Sequence, residues 1–490
     1  MAETTLEVGN RIFVNFAGEP EQRGFLRYLG PVDGQKGTWC GIEWDDVTRG
    51  KHNGTVNGRD YFRTREPKAG SFVKRELVSG GKNLFSQIEE RYAVDEDNEE
   101  NEFMGSRMVE KVGMQKVHQK QRDIFRLKMI VLDGMRVAKP PPLSTPLFSC
   151  CSELNLHNNL LHRWKDVFDI VNCFPNLREL ILRQNAMENV DRVDAFADYP
   201  DVKAPVFHLV LNYCGVSETT ITAVLSKFPA VTDLYASGNC LTSFNPGDCG
   251  KNLRLVDLEH NPITSFASID SANAITGLES LSLMNCRVSE VALSGRFPNL
   301  KTLYLKGNPL HEWSSINALS SLKSLSTLFI SSANFTAENG MDVREVLIAK
   351  LPTITMLNRG DVSVVERRSA EMRFVNRYSQ LAEALKAPHE ADLKRLIAIH
   401  GEPIKETVKK GISVIRVKLI YEGKLVERPV PASITVAKLQ EIAARVFSLD
   451  PSGVTLFVEK EGRTPDELSI LARQLSFYSI EAGDTIRIDA

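Results

Sequence analysis

The chain has 490 residues, enough for about three domains of ordinary size. Its 60 basic and 62 acidic residues nearly cancel, which argues against a bulk preference for nucleic acid or for a membrane surface. The first residues lack a charged-then-apolar leader, no apolar run is long enough to span a bilayer, and eight cysteines lie scattered without metal-ligand pairs. A reduced, cytoplasmic protein with no metal and no cofactor is expected.

Residues 1–80 alternate short β-rich runs, Arg11 to Phe16, Arg23 to Leu29, Trp39 to Trp44 and Ser71 to Lys74, with glycine-rich turns. That grammar predicts a small all-β barrel. At its centre lies GTWCGIEWDDVTRGKHNGTVNGRDYF, Gly37 to Phe62. With Gly70 and Phe72, this stretch resembles the CAP-Gly domain, whose signature loop GKNDG is here Gly50, Lys51, His52, Asn53, Gly54. The resemblance implies a site for acidic C-terminal tails ending in an aromatic residue, formed by Trp39, Lys51, His52, Asn53, Gly54, Tyr61 and Phe72. The chemistry fits: aromatic walls suit a terminal ring, and a lysine beside backbone amides suits a carboxylate. Two departures stand out, since the family's asparagine is His52 and its aspartate is Asn53.

Residues 81–126 are expected to be an acidic and helical linker. Leu84 to Tyr92 has the makings of a short helix, Asp95 to Glu102 is almost all acid or amide and suits a solvated tether, and Val112 to Phe125 resumes helix-like spacing before the next domain.

From Leu127 to Leu357 one phrase returns ten times: leucine, two residues, leucine, one residue, leucine, two residues, usually asparagine. Clean copies start at Leu177, Leu253 and Leu300, and successive starts lie 22 to 29 residues apart, the period of leucine-rich repeats. Each phrase is a strand with one apolar face that no single repeat can bury, so the copies must stack into an α/β solenoid around a parallel sheet. Asn159, Asn185, Asn239, Asn261 and Asn308 suit the turn after each strand, where one amide satisfies several buried backbone groups. Cys214 and Cys286 fill the same slot. Outward residues between the leucines, including Arg178, Glu179, Asp233, Tyr235, Asp257, Glu259, Lys301, Tyr304 and Lys306, are candidate contacts for a protein partner. The solenoid with its C-terminal cap is expected over 127–386, with Val365, Met372, Val375 and Leu381 sharing the cap helix's buried face and Glu366 to Arg368 facing water.

Residues 387–411 are expected to be a second linker. Residues 412–490 follow the order strand, strand, helix, strand, strand, with Thr435 capping a helix whose Val436, Leu439, Ile442, Ala443 and Val446 share a face. The closing IEAGDTIRI resembles the end of an α+β ubiquitin-like (β-grasp) domain, and the absence of a terminal glycine pair argues against conjugation.

A CAP-Gly barrel, a leucine-rich solenoid and a ubiquitin-like domain, in that order, resemble the tubulin-specific chaperone E (tubulin-folding cofactor E) family over essentially the whole chain. The resemblance implies a cytoplasmic, cytoskeleton-associated chaperone that binds the tail and body of α-tubulin. It further implies work with cofactors B, C and D and an Arf-like GTPase in assembling and dissociating the α/β heterodimer, and a last domain read by proteasomal ubiquitin receptors. No phosphate-binding loop and no catalytic constellation is found in the sequence, so an enzyme is not expected. Two alternatives use the same modules: an adaptor delivering tubulin for proteasomal degradation, and a microtubule plus-end adaptor.

Overall fold

The computed structural model describes residues 6–93, 103–104, 107–108, 124–269, 275–292, 297–403, 414–451, 453–459, 465–478, 480 and 483–490. It divides into two compact units, 1–403 and 404–490.

The first unit opens with an antiparallel five-stranded sheet whose members are Arg11–Val14, Gln22–Gly30, Trp39–Trp44, Gly70–Lys74 and Val78–Gly80. Alternation sends Ile12, Val14, Leu26, Cys40, Ile42, Trp44 and Val73 into its core. The short hairpin of Thr55–Val56 and Arg59–Asp60, with the extra strand Val78–Gly80, lies beyond what the apolar runs announced.

The solenoid follows as an eleven-stranded sheet. Its parallel strands, from Met129–Val131 to Met356–Leu357, each come from one copy of the repeated phrase, and Gly360–Asp361 closes the sheet antiparallel. Burial follows the phrase: Leu154, Leu180, Leu209, Leu234, Val256, Leu281, Leu303 and Leu328 are all fully buried at strand centres, and nearly all their neighbours are half-exposed. The asparagines behave as expected. Asn261 Nδ2 donates to Ala236 O (3.0 Å) and Leu258 O (2.9 Å), while its Oδ1 accepts from the amides of Asn239 and Leu241 (both 2.9 Å). At the two cysteine slots a thiol donates instead, Cys214 to Leu182 O (3.1 Å) and Cys286 to Leu258 O (3.3 Å).

Three expectations about the solenoid's ends need correcting. The first concerns the linker 81–126, which begins as folded structure. Lys82–Asn83 pairs in parallel with Val137–Lys139, and the helix Leu84–Tyr92, capped by Asn83, buries Leu84 and Ile88 completely in the solenoid core. The i, i+4 spacing of those two residues is what covers the first repeat. Phe125 packs there too, stacked 6.1 Å from Phe85, whereas the acidic run 95–102 and residues 112–123 lie outside the described residues.

The second correction is the cap helix, Val364–Tyr378, whose buried face is Ala370, Glu371, Phe374, Val375 and Tyr378. Val365 and Met372 are exposed, at 76% and 40%, and Arg367 turns inward. The Arg367 guanidinium donates to the carbonyls of Ile348, Leu351 and Ile354, at and just beyond the end of the helix Val343–Lys350.

The third is the linker expected to begin at 387, because the helix Glu390–His400 packs Leu393 and Leu396 on the same core. A buried polar knot fixes it: Lys350, fully buried, donates to Asp392 (2.6 Å), Pro388 O (3.2 Å) and His389 Nδ1 (3.1 Å).

The barrel is docked on the solenoid's first repeats by polar contacts. Arg23 reaches Asn158, Arg136 pairs with Glu21 (2.7 Å), Arg163 meets Asn10, and Phe25 stands edge-on to His162 at 5.8 Å.

The second unit is a five-stranded mixed sheet of Val414–Tyr421, Lys424–Pro431, Thr455–Glu459, Asp466–Glu467 and Thr485–Asp489, with the first and last strands parallel. The helix Val436–Phe447, capped by Thr435, lays Val436, Leu439 and Ala443 on the core. This is the β-grasp arrangement expected.

Candidate functional site

The barrel's outer face gathers five rings. In the register of Gln22–Gly30, Trp39–Trp44 and Gly70–Lys74, Gly41 faces both Tyr28 and Phe72. A glycine there is required, because a Cβ at Gly41 would come within 2.4 Å of the Phe62 ring. Phe72 becomes the hub, with His52, Tyr61 and Phe62 at 5.4, 5.3 and 5.4 Å and Tyr28 at 6.0 Å, mostly edge-on. His52, Tyr61, Phe72 and Tyr28 are half-buried, so the wall they form is open on one side.

The loop preceding it is tied down by its own backbone. Lys51 N–H and His52 N–H donate to Gly70 O (2.7 and 3.1 Å), and Gly70 N–H returns a bond to His52 O (2.7 Å). Gly54 has φ +104°, and a Cβ there would meet Phe62 O at 2.0 Å, so only glycine fits. Its N–H donates to His52 Nδ1 (3.0 Å), which makes that nitrogen an acceptor and leaves the proton on Nε2. Burial and the neighbouring Lys51 charge hold the His52 pKa below the ordinary imidazole value, so the ring stays neutral at pH 7. Asn53 is exposed, and its Oδ1 accepts from Thr55 N–H (3.2 Å). The exposed Lys51 side chain has no hydrogen bond or ion pair among the described residues.

Of the residues named from the sequence, His52, Tyr61 and Phe72 come together, with Lys51, Asn53 and Gly54 on the adjoining loop. Trp39 does not make ring contact with the cluster; it shares the sheet face, paired with Lys74 two residues from Gly41, and its Nε1 donates to Lys36 O (3.2 Å). Tyr28 and the packing role of Phe62 were missed. A bulge between Leu26 and Tyr28 turns Tyr28 toward Gly41, and no residue pattern announces a bulge.

Comparison with known proteins agrees with this architecture. The CAP-Gly domain family matches residues 8–78, and the Leucine-rich repeat family matches residues 243–386. Tubulin-specific chaperone E of Mus musculus is 27% identical over 524 residues, covering 98% of each chain. Tubulin-folding cofactor E of Arabidopsis thaliana is 27% identical over 526 residues, covering 98% of this chain and 97% of that one. Over nearly its whole length the chain is similar to the tubulin-specific chaperones E. Among solved structures, the C-terminal ubiquitin-like domain of mouse tubulin-specific chaperone e is 25% identical, covers 16% of this chain and 91% of that one, and has a TM-score of 0.15.

A second exposed surface is the open face of the solenoid sheet. One register row runs Glu153, Glu179, His208, Asp233, Leu255, and the next runs Asn155, Ile181, Val210, Tyr235, Asp257. Further along, Tyr304 and Phe329 stack at 4.7 Å, and Glu279 is clamped by Lys301 (2.7 Å) and Arg254 (2.9 Å), which hold its carboxyl below the usual range.

Proposed function

We propose that this chain is a tubulin-folding cofactor that binds α-tubulin with two surfaces, the barrel taking the acidic C-terminal tail and the solenoid the folded body. The observation that carries the proposal is the half-open wall of His52, Tyr61, Phe72 and Tyr28 beside an unpaired Lys51. A terminal aromatic ring would lie against the wall. Its carboxylate would take a charge-assisted bond from Lys51, contributing about 1.5–3 kcal/mol, and the His52 Nε2–H supplies a further donor. Trp39 and Asn53 are placed to border the rest of the tail.

The same reading extends to assembly and dissociation of the α/β heterodimer with cofactors B, C and D and an Arf-like GTPase. A nanomolar dimer is held by roughly 12 kcal/mol, and one micromolar tail contact supplies about 8. A second contact on the same body raises avidity by ~10²–10⁴. The docking of the barrel on the solenoid supports this reading, since it would hold two such contacts in a constant relation. The ubiquitin-like unit serves as an interaction module for a further protein, a proteasomal receptor among the candidates.

The test is binding of the full chain to α-tubulin tail peptides with and without the terminal aromatic residue. The complete tail should bind, and loss of its last ring or the Lys51→Ala substitution should weaken binding at least about ten-fold. Equal affinity for both peptides would refute the proposal.

A further inference from the structure

The open face of the solenoid sheet has two electrostatic halves. Toward the C-terminal repeats, acid and base are matched, as in the clamp of Glu279 between Arg254 and Lys301. Toward the N-terminal repeats they are not. Glu153, Glu179, Asp233, Asp257 and Glu259 share adjacent strands, and none of them makes an ion pair with a lysine or arginine among the described residues. Their partners are weaker. His208 stands between Asp233 (2.8 Å) and Glu179 (3.9 Å), Asp257 accepts from the Glu259 amide (2.9 Å), and Glu259 accepts from Ser282 Oγ (2.8 Å). The cations at this end include the exposed Lys128, Arg178 and Arg183, at the ends of their strands, and the Arg183 guanidinium lies over the Tyr213 ring at 5.7 Å. Between the carboxylates runs a half-exposed apolar strip, Ile181, Val210 and Tyr235.

We infer that this half of the face receives a folded protein surface on which lysine or arginine side chains flank an apolar group. Charge complementarity selects that occupant. The five carboxylates outnumber the cations around them and are paired with no lysine or arginine among the described residues, and the strip between them offers area whose burial favours association. A nucleic acid or an acidic peptide would be repelled. The half-buried state of the carboxyls adds support: burial and the Glu179 charge push Glu153 up, and burial pushes Asp257 up. An arriving cation would relieve both. The inference rests on the reading above that the solenoid seats the partner's body, and it adds a polarity to it. The partner must show an acidic tail to the barrel and a basic, partly apolar patch to the solenoid.

The experiment uses the full chain and tubulin whose C-terminal tails have been removed by limited proteolysis, so the barrel's contact is absent. The wild-type chain should bind the trimmed protein, more weakly as salt rises. The combined variant Glu153→Gln, Asp233→Asn, Asp257→Asn should bind it about ten-fold or more weakly, with unchanged affinity for a synthetic tail peptide. The control Lys251→Gln, Lys323→Gln, both exposed in turns outside the sheet, should bind like wild type. Each substitution is at an exposed or half-exposed position, and circular dichroism checks that the fold survives. No binding of the trimmed protein by the wild-type chain would overturn the inference. So would an unaffected triple variant, or a loss confined to the lysine control. Failure of the tail peptide to bind wild type would refute the tail reading alone.

Discussion

One guanidinium nitrogen of Arg23, on the barrel, donates to both the backbone oxygen (2.6 Å) and the side-chain oxygen (2.8 Å) of Asn158, at the turn of an early solenoid repeat. Asn158 has φ +54°, a left-handed conformation that asparagine tolerates, and this aims both oxygens at the barrel. Glu21 joins the contact by accepting from Arg23 (3.0 Å) and Arg136 (2.7 Å).

Because of that contact and the embedded helix Leu84–Tyr92, cutting the chain between Asp95 and Glu102 should not separate the two pieces. The fragments are expected to co-elute in size-exclusion chromatography at neutral pH. Ile88→Asp, which places a charge in the apolar core, should release the N-terminal piece after the same cut. Separation of the wild-type fragments would show that the barrel is not held this way.

The docking contact should weaken in acid. His162 is buried against Phe25, and its pKa is lowered to about 4 by burial and by the charges of Arg163, Arg11 and Arg27. Its Nε2 accepts from Arg163 Nε (3.2 Å), a bond that protonation removes. The folded pKa lies below the unfolded value, so the contribution is complete above pH ~6.5 and is lost as pH falls toward 4. On the order of 3 kcal/mol is at stake. Urea denaturation across that window should give a clearly flatter pH dependence for His162→Gln than for wild type. His389, lowered to about 3 by burial and Lys350, supplies part of the slope that remains.

In the cap, Asp392→Ala would leave Lys350 buried without its carboxylate and should cost about 3–5 kcal/mol. Lys350→Met with Asp392→Leu removes both charges and should cost much less. Guanidinium denaturation distinguishes the two, and equal losses would mean that the pair acts only through packing.

Gly41→Ala tests the ring wall without touching Lys51. The new methyl displaces the Phe62 ring, and with it the ring seat around Phe72. Tail-peptide affinity measured by fluorescence anisotropy should fall about ten-fold, a loss of roughly 1.4 kcal/mol, while the solenoid's binding of trimmed tubulin stays unchanged.

Much of this molecule could be read from residue order because its commonest element repeats. A phrase such as Leu253, Val256, Leu258, Asn261 states strand, buried face and turn together, and neighbouring copies state the stacking. The barrel loop was legible for a related reason, since Gly54 and Gly41 are dictated by local backbone or by close approach. What stayed hidden depends on distant partners. Nothing near Arg23 announces Asn158, 135 positions away. The cap helix misled because Val365 and Met372 look like core residues, yet Arg367 takes the inward position by donating to three carbonyls of the preceding segment. Tyr28 needed a bulge.

The two thiol slots of the solenoid have a mechanical consequence. Where asparagine sits, each repeat is stitched to its neighbour by an amide that gives and accepts at once; Cys214 and Cys286 give one weak bond. Burial pushes their thiols up to about 12 and about 11, so neither can supply a stronger link by ionising. In a stack held by nearest-neighbour coupling, these are the seams. A pull along the solenoid should part it at joints such as these before it parts the asparagine joints.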